Sequence, residues 1–263
     1  MTDTGNPLGP AITAPAAGAA PAGPVLRAGR RGTQRLVRIA SNTLITAGVL
    51  VFIWSIVVWR WEDPFTALYT TWKQHELAQQ YRSLQRAYRP VVPAPPAHTK
   101  RGTRVPAALA PKTIAADAAA FRRDTHEGEA IGRIVIGRIG LKMVLVNGTA
   151  EATLEKGPGR DLQSYMPGQN RLVYIAGHRT TYLAPFSHID DIRNGDYIRL
   201  EMPYATFIYR AVSHEIVPAT DLAVLRSPDH ELLRLQACHP RFFATHRYIV
   251  NAKLVSVERP ASA

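Results

Sequence analysis

"LLRLQACHPRFFATHRYIVNAKL", residues 232–254, carries two apolar runs separated by a polar break with one proline. The first run, Leu232 to Cys238, places Leu233, Leu235 and Ala237 on one side and Arg234, Gln236 and Cys238 on the other. A period of two is the signature of a strand with one buried face. The second run opens at Arg247. If the two strands pair antiparallel, residues 239–246 form their connection, and Cys238 and Arg247 meet at one end of the sheet. Cys238 is the only cysteine in the 263 residues. One thiol forms no internal disulfide and builds no CxxC zinc cluster. It is either a small core residue or a nucleophile.

The texture around this hairpin is uniform from about residue 129. Short β-branched runs ("AIGRIVI", "KMVLVNG", "RLVYIAG", "DYIRLEM", "ATFIYRAVSHEIV") alternate with Gly, Pro, Asn and Asp. "NGD" at 194–196 supplies an Asn-Gly turn before a strand. Many short strands with little helical periodicity predict a closed all-β domain, placed here at residues 126–259. His178 follows "RLVYIAG" directly after Gly177, a residue that permits a sharp exit from the strand. Strand ends on a rigid scaffold are where catalytic groups concentrate, so His178, Cys238 and Arg247 are expected to share one rim.

Upstream the chain is of another kind. Residues 1–38 are rich in Ala, Pro and Gly and end in a cluster of Arg27, Arg30, Arg31, Arg35 and Arg38. They read as a disordered tail. Residues 39–59, "IASNTLITAGVLVFIWSIVVW", contain no charge. As a helix they would extend about 31 Å, the thickness of a bilayer core. The run is too long for a signal-peptide core and leads into "WRWEDP", which offers no cleavage site. A single-pass anchor is therefore expected, with the arginine-rich end in the cytoplasm and the remainder outside. Residues 60–89 read as a juxtamembrane helix, a stalk or an interfacial one: Pro64 suits its first position, Pro90 its end, and Phe65, Leu68, Tyr69, Trp72, Leu84 and Tyr88 recur at roughly helical spacing. Residues 90–125 read as a semi-extended Pro/Ala linker.

The formal charge of +12 does not mark a nucleic-acid binder. Residues 1–125 hold 16 Lys/Arg against 6 Asp/Glu, whereas 126–263 hold 16 against 14. The excess lies in tail and linker and not on a basic face of the folded domain. His188, His214 and His230 lack ligand spacing, and no loop is dense enough in carboxylates for calcium. No cofactor or metal is expected.

The three singled-out residue types fit acyl transfer. A thiolate attacks a carbonyl to form a thioester, an imidazole delivers a proton to the leaving amine, and a permanently cationic guanidinium stabilises the oxyanion. The surrounding motifs sharpen this. "IGRIVIGRIGLKMVLVNGT", "EKGPGR", "MPGQN", "IAGHRTTYLAPFSHI", "DIRNGD" and "LLRLQACHPRFFATHRYIVNAKL", in that order, resemble sortases, the membrane-anchored cysteine transpeptidases of Gram-positive cell walls. The resemblance implies a β-barrel of about eight strands, with Cys238 as nucleophile, His178 as general acid and base, and Arg247 as oxyanion stabiliser. Its details look most like class E of actinobacteria. That class generally favours a Leu-Ala-x-Thr-Gly sorting signal, against the Leu-Pro-x-Thr-Gly of other classes. The implied partners are that signal peptide, a peptidoglycan precursor amine and membrane lipid.

Two departures bear on substrate. The family's Thr-Leu-x-Thr-Cys reads Arg234-Leu235-Gln236-Ala237-Cys238, and "TTYG" reads "TTYL" with Leu183 in place of Gly. Ala237 and Thr180 are the expected substrate contacts, and residues 218–231 a wall of the groove. The rival readings are a weakly active or inactive tethered barrel that binds wall peptides, and a pilin-polymerising or other-class sortase.

Overall fold

The computed structural model describes residues 29–61, 64–91 and 111–258. The expected disordered tail lies outside these up to residue 28. From Gly29 onward the chain is already helical, which corrects the tail's boundary. Helix α1 (Gly29–Trp61) contains an apolar segment, Gly32–Val57, with a mean hydropathy of 1.8. At ~1.5 Å per residue it is long enough to cross a bilayer.

The remaining elements run α2 (Pro64–Ala87), α3 (Pro111–Asp124), β1 (Ala130–Ile136), β2 (Leu141–Asn147), α4 (Glu151–Leu154), β3 (Gly159–Arg160), β4 (Leu172–Ala176), β5 (Tyr197–Glu201), β6 (Thr206–Pro218), β7 (Leu232–His239) and β8 (His246–Glu258). The eight strands close into a barrel in the order β1-β2-β3-β4-β7-β8-β6-β5. Closure removes free edge strands, although two-residue β3 covers only the end of β2. Most pairs are antiparallel; β4 runs parallel to β7, and β2 to β3. β4, "LVYIA", is buried at every position, as a strand covered on both faces must be. Its inward residues Val173 and Ile175 join Leu233, Leu235 and Ala237 of β7 in the barrel core. Its outward residues Leu172 and Tyr174 pack with Val224 and Ile249 in a second cluster outside the barrel.

Two sequence readings are refined here. The helix expected within residues 60–89 is present as α2, and it does not stand off as a stalk. α2 lies on the barrel with Thr70, Leu77 and Tyr81 buried, while Leu68 and Trp72 are 72% and 60% exposed. Its docking is partly polar. Gln74 accepts from the Val144 amide at 2.7 Å and donates to the Val144 and Lys156 carbonyls at 3.1 and 2.7 Å. β3 is only two residues long and leaves that side of β2 without a strand partner. A glutamine amide matches a peptide unit and fills the gap. The expected linker is also not extended throughout. Its residues 111–124 form α3, whose Ile114, Ala118 and Phe121 enter the barrel core. Residues 92–110 of that stretch lie outside the described residues.

Candidate active site

β7 and β8 pair antiparallel, with Cys238 opposite Arg247 and His239 opposite His246. Directly opposed residues share a face, so the thiol and the guanidinium project to the same side. A cleft of about 110 Å³ opens beside this pair; Arg247 lines it, whereas Cys238 and His178 are not among its lining residues. Tyr174, Ala176, Gln236, Thr149 and Asp161 also line it. Ala219, Asp221, Leu222, Val224 and Leu225 of the 218–231 segment line the same cleft. Arg234, where the family motif carries Thr, braces that segment by donating to the Val224 carbonyl. Cys238 is two residues beyond Gln236 and continues the cleft side of β7.

The third group arrives through the parallel ladder. Ala176 is in register with Gln236, and the Gly177 amide donates to the Gln236 carbonyl at 3.0 Å. His178 and Cys238 are thus each two residues past a paired position. Gly177 is required for space and not for a left-handed φ: a Cβ there would meet the Phe186 ring at 2.7 Å. The following loop folds back on itself, with the Phe186 amide donating to the His178 carbonyl at 3.1 Å. Tyr182, Leu183 and Ala184 sit at φ of 53°, 59° and 37°, three consecutive left-handed residues without a glycine.

Tyr182 lies against His178, ring centroids 5.1 Å apart, and its hydroxyl donates to Glu155 at 3.0 Å. Thr66 of α2 accepts from the Tyr182 amide at 3.2 Å. Burial pushes the His178 imidazole below its ordinary pKa, and Glu155 and Glu151 partly oppose this. His178 Nε2 is buried without a hydrogen-bond partner. Arg247 uses one nitrogen, Nη1, to hold the Ala244 and His246 carbonyls at 2.8 and 3.0 Å. Among the described residues no carboxylate forms an ion pair with it. All three groups are half-buried, reachable yet partly desolvated.

The expected substrate contacts fare unequally. Ala237 is 0% exposed and belongs to the barrel core, so its side chain is turned away from the cleft. This corrects its expected role; strand alternation puts Gln236 on the cleft side instead. Gln236 accepts from the Tyr174 hydroxyl at 2.8 Å. Thr180 is half-buried in the loop beyond His178. The sequence reading also missed Arg179, which is buried and donates to the Cys238 carbonyl at 3.2 Å.

Known proteins resemble this chain in sequence and fold. Residues 134–255 match the sortase domain family model. Sortase D of Bacillus subtilis is 33% identical over 142 residues, covering 52% of this chain and 69% of that protein. Sortase SrtE1 of Streptomyces coelicolor is 34% identical over 100 residues, 34% of this chain and 27% of that protein. Among solved structures, the sortase D5 transpeptidase of Clostridium perfringens superposes with a TM-score of 0.54 at 23% identity. The match covers 70% of this chain and 99% of that one.

Proposed function

This chain belongs to the sortase family of cysteine transpeptidases, and we propose that Cys238 is its nucleophile, His178 its general acid and base, and Arg247 its oxyanion stabiliser. In this reading a sorting-signal peptide lies in the cleft beside Gln236 and Arg247. The Cys238 thiolate attacks the carbonyl carbon of the scissile Thr-Gly bond. Arg247 Nε and Nη2, not engaged by Nη1's backbone contacts, face the developing oxyanion. The tetrahedral intermediate collapses as His178 protonates the leaving glycine amine. A thioester remains on Cys238. An acceptor amine then attacks it, His178 takes the amine's proton, and the thiolate departs as the new amide forms.

The observation that carries the assignment is the register. Cys238 opposes Arg247, and the parallel β4–β7 ladder runs to the residue before His178. Thr180, adjacent in the same loop, is assigned to the bound peptide. α1 serves as the membrane anchor, with its arginine-rich end cytoplasmic and the barrel facing the wall, where a peptidoglycan precursor supplies the amine.

Purified full-length chain in detergent is the material for the test, with fluorogenic Leu-Ala-x-Thr-Gly and Leu-Pro-x-Thr-Gly peptides. Cleavage of one, and trapping of its acyl group on Cys238 by mass spectrometry, is expected. Cys238→Ala is expected to lower turnover by on the order of 10⁴-fold or more. Unchanged cleavage by Cys238→Ala overturns the assignment.

A further inference from the structure

We propose that Arg179 is a positioning residue that sets the gap between His178 and Cys238 by standing in for a rung of the β4–β7 ladder. This rests on the assignment of those two residues made above.

In a parallel ladder, successive bonds from one strand to the next advance by two residues. The last backbone bond runs from the Gly177 amide to the Gln236 carbonyl at 3.0 Å. The next would run from the Arg179 amide to the Cys238 carbonyl. That acceptor is instead taken by the Arg179 side chain, Nη1 donating at 3.2 Å. A guanidinium on its stem reaches farther than a backbone N–H, so the strands part where the two reactive residues sit. Regular strands lie about 4.8 Å apart, too close to admit a peptide bond between them. The spread makes room for the scissile bond while the same side chain keeps the separation fixed.

The arrangement around Arg179 fits a spacer. It is 4% exposed. Nη2 pairs with Asp190 at 2.7 Å, and Nη1 also meets His239 Nδ1 at 3.0 Å. Its guanidinium carbon lies 5.8 Å from the centre of the Tyr248 ring. One group therefore ties the loop bearing His178 to the backbone of the nucleophile and to the residue after it. The tie is not the least costly way to fill the space. A desolvated cation needs its partners, and Nε is buried with none. A hydrophobic side chain would avoid that cost but could not bridge a carbonyl, an imidazole and a carboxylate together.

The test compares Arg179→Met and Arg179→Lys with wild type in the full chain, on the peptide cleaved best, together with thermal unfolding. Misplacing reacting groups by ~1 Å costs about 100-fold in rate. Arg179→Met is expected to lower kcat by about that factor, corrected for folded fraction, with KM within about threefold and Cys238 still alkylated by iodoacetamide. Arg179→Lys keeps the charge for Asp190 without the planar fork and is expected to fall between the two in kcat. If Arg179→Met does not fold, Arg179→Lys carries the same criterion with a smaller loss. A kcat within threefold of wild type, a loss explained by unfolding, or a loss confined to KM overturns the proposal. Cys238→Ala runs alongside. If it is inactive while Arg179→Met is as active as wild type, only the spacer role falls; if it is active, the nucleophile assignment falls first.

Discussion

The two ends of β7 are built on opposite terms. At its start, Glu231 is buried and its carboxylate is fully used. It accepts from the Gly168 amide at 2.8 Å, the Asn170 amide at 2.7 Å and the Tyr209 hydroxyl at 2.7 Å. At its end, around Cys238, two buried nitrogens, His178 Nε2 and Arg179 Nε, have no partner. A satisfied buried network specifies a structure. Unpaired buried groups cost stability, and proteins tolerate that cost at functional sites. β7 thus runs from a satisfied polar cluster at Glu231, just before its first residue, to the proposed reactive cluster at Cys238, seven residues later.

The sharpest way to break this contrast is to remove one charged group from each end. Arg247→Ala is expected to lower kcat by about 10²–10³-fold, the range for losing an oxyanion donor. Its unfolding temperature should stay close to wild type, because Arg247 is half-buried and its protein acceptors are two carbonyls near the solvent-facing loop. Glu231→Ala should do the reverse. Three donors lose their acceptor, at a cost of about 3 kcal/mol or more, which lowers the melting temperature by roughly 6–12 °C for a domain of this size. Turnover per folded molecule should be unchanged. Calorimetry with active-site titration separates the two. If Glu231→Ala slows chemistry, or Arg247→Ala mainly unfolds the barrel, the two ends are not distinct in function.

The same contrast explains what the sequence made legible. The β7–β8 hairpin was readable because alternation and a polar break are local signals, and they place Cys238 opposite Arg247 without tertiary information. The Gly177 exit and the Asn194-Gly195 turn were local too, although the reason for Gly177 was the approach of Phe186, a nonlocal contact. Helix α3 was hidden in a Pro/Ala stretch because its packing face is built largely of alanine, with only Ile114 and Phe121 as large apolar residues. α2 was visible as a helix, and Leu84 and Tyr88 of its apolar pattern do pack against the core. Its polar docking was not legible: Leu68 and Trp72 are exposed, while Gln74 and Thr70 pack inward against backbone that needs partners. Arg179 was missed for a related reason: an arginine in a loop motif reads as a solvated charge until the ladder places a carbonyl in front of it.

A smaller effect sharpens the picture of the reactive end. Leu183 stands at φ 59° where the family motif has glycine. A left-handed conformation costs a side chain with a Cβ about 1–2 kcal/mol. Leu183→Gly is expected to stabilise the barrel by about 1 kcal/mol, somewhat offset by the greater freedom of glycine in the unfolded chain. Thermal unfolding reads this as a rise of roughly 2–4 °C. A fall would mean that the Leu183 side chain, 37% exposed, contributes more packing to the His178 loop than the conformation costs.

The smallest expected effect is a pair of opposed pH slopes. Burial lowers the His178 pKa from 6.5 and raises that of Glu231 from 4.5. For His178 the unfolded chain binds more protons than the native state between the native value and 6.5. Stability contributed there rises with pH and is lost as pH falls through that window. For Glu231 the native state binds more protons in the window above 4.5, so its contribution falls as pH rises through it. The two ends of β7 therefore push stability in opposite directions across mildly acidic pH and partly cancel. His178→Gln should remove the rising component and leave the barrel relatively more stable on acidification than wild type. Glu231→Gln should remove the falling one and make acidification more harmful. Denaturant melts at several pH values between 4 and 7 measure both, and NMR titration of the His178 ring gives an independent check. Glu155→Gln should move that ring's midpoint lower still, because the Glu155 carboxylate favours the charged imidazole. A midpoint at or above 6.5, or unchanged slopes in His178→Gln, would mean that the imidazole is better solvated than its burial beside Tyr182 implies.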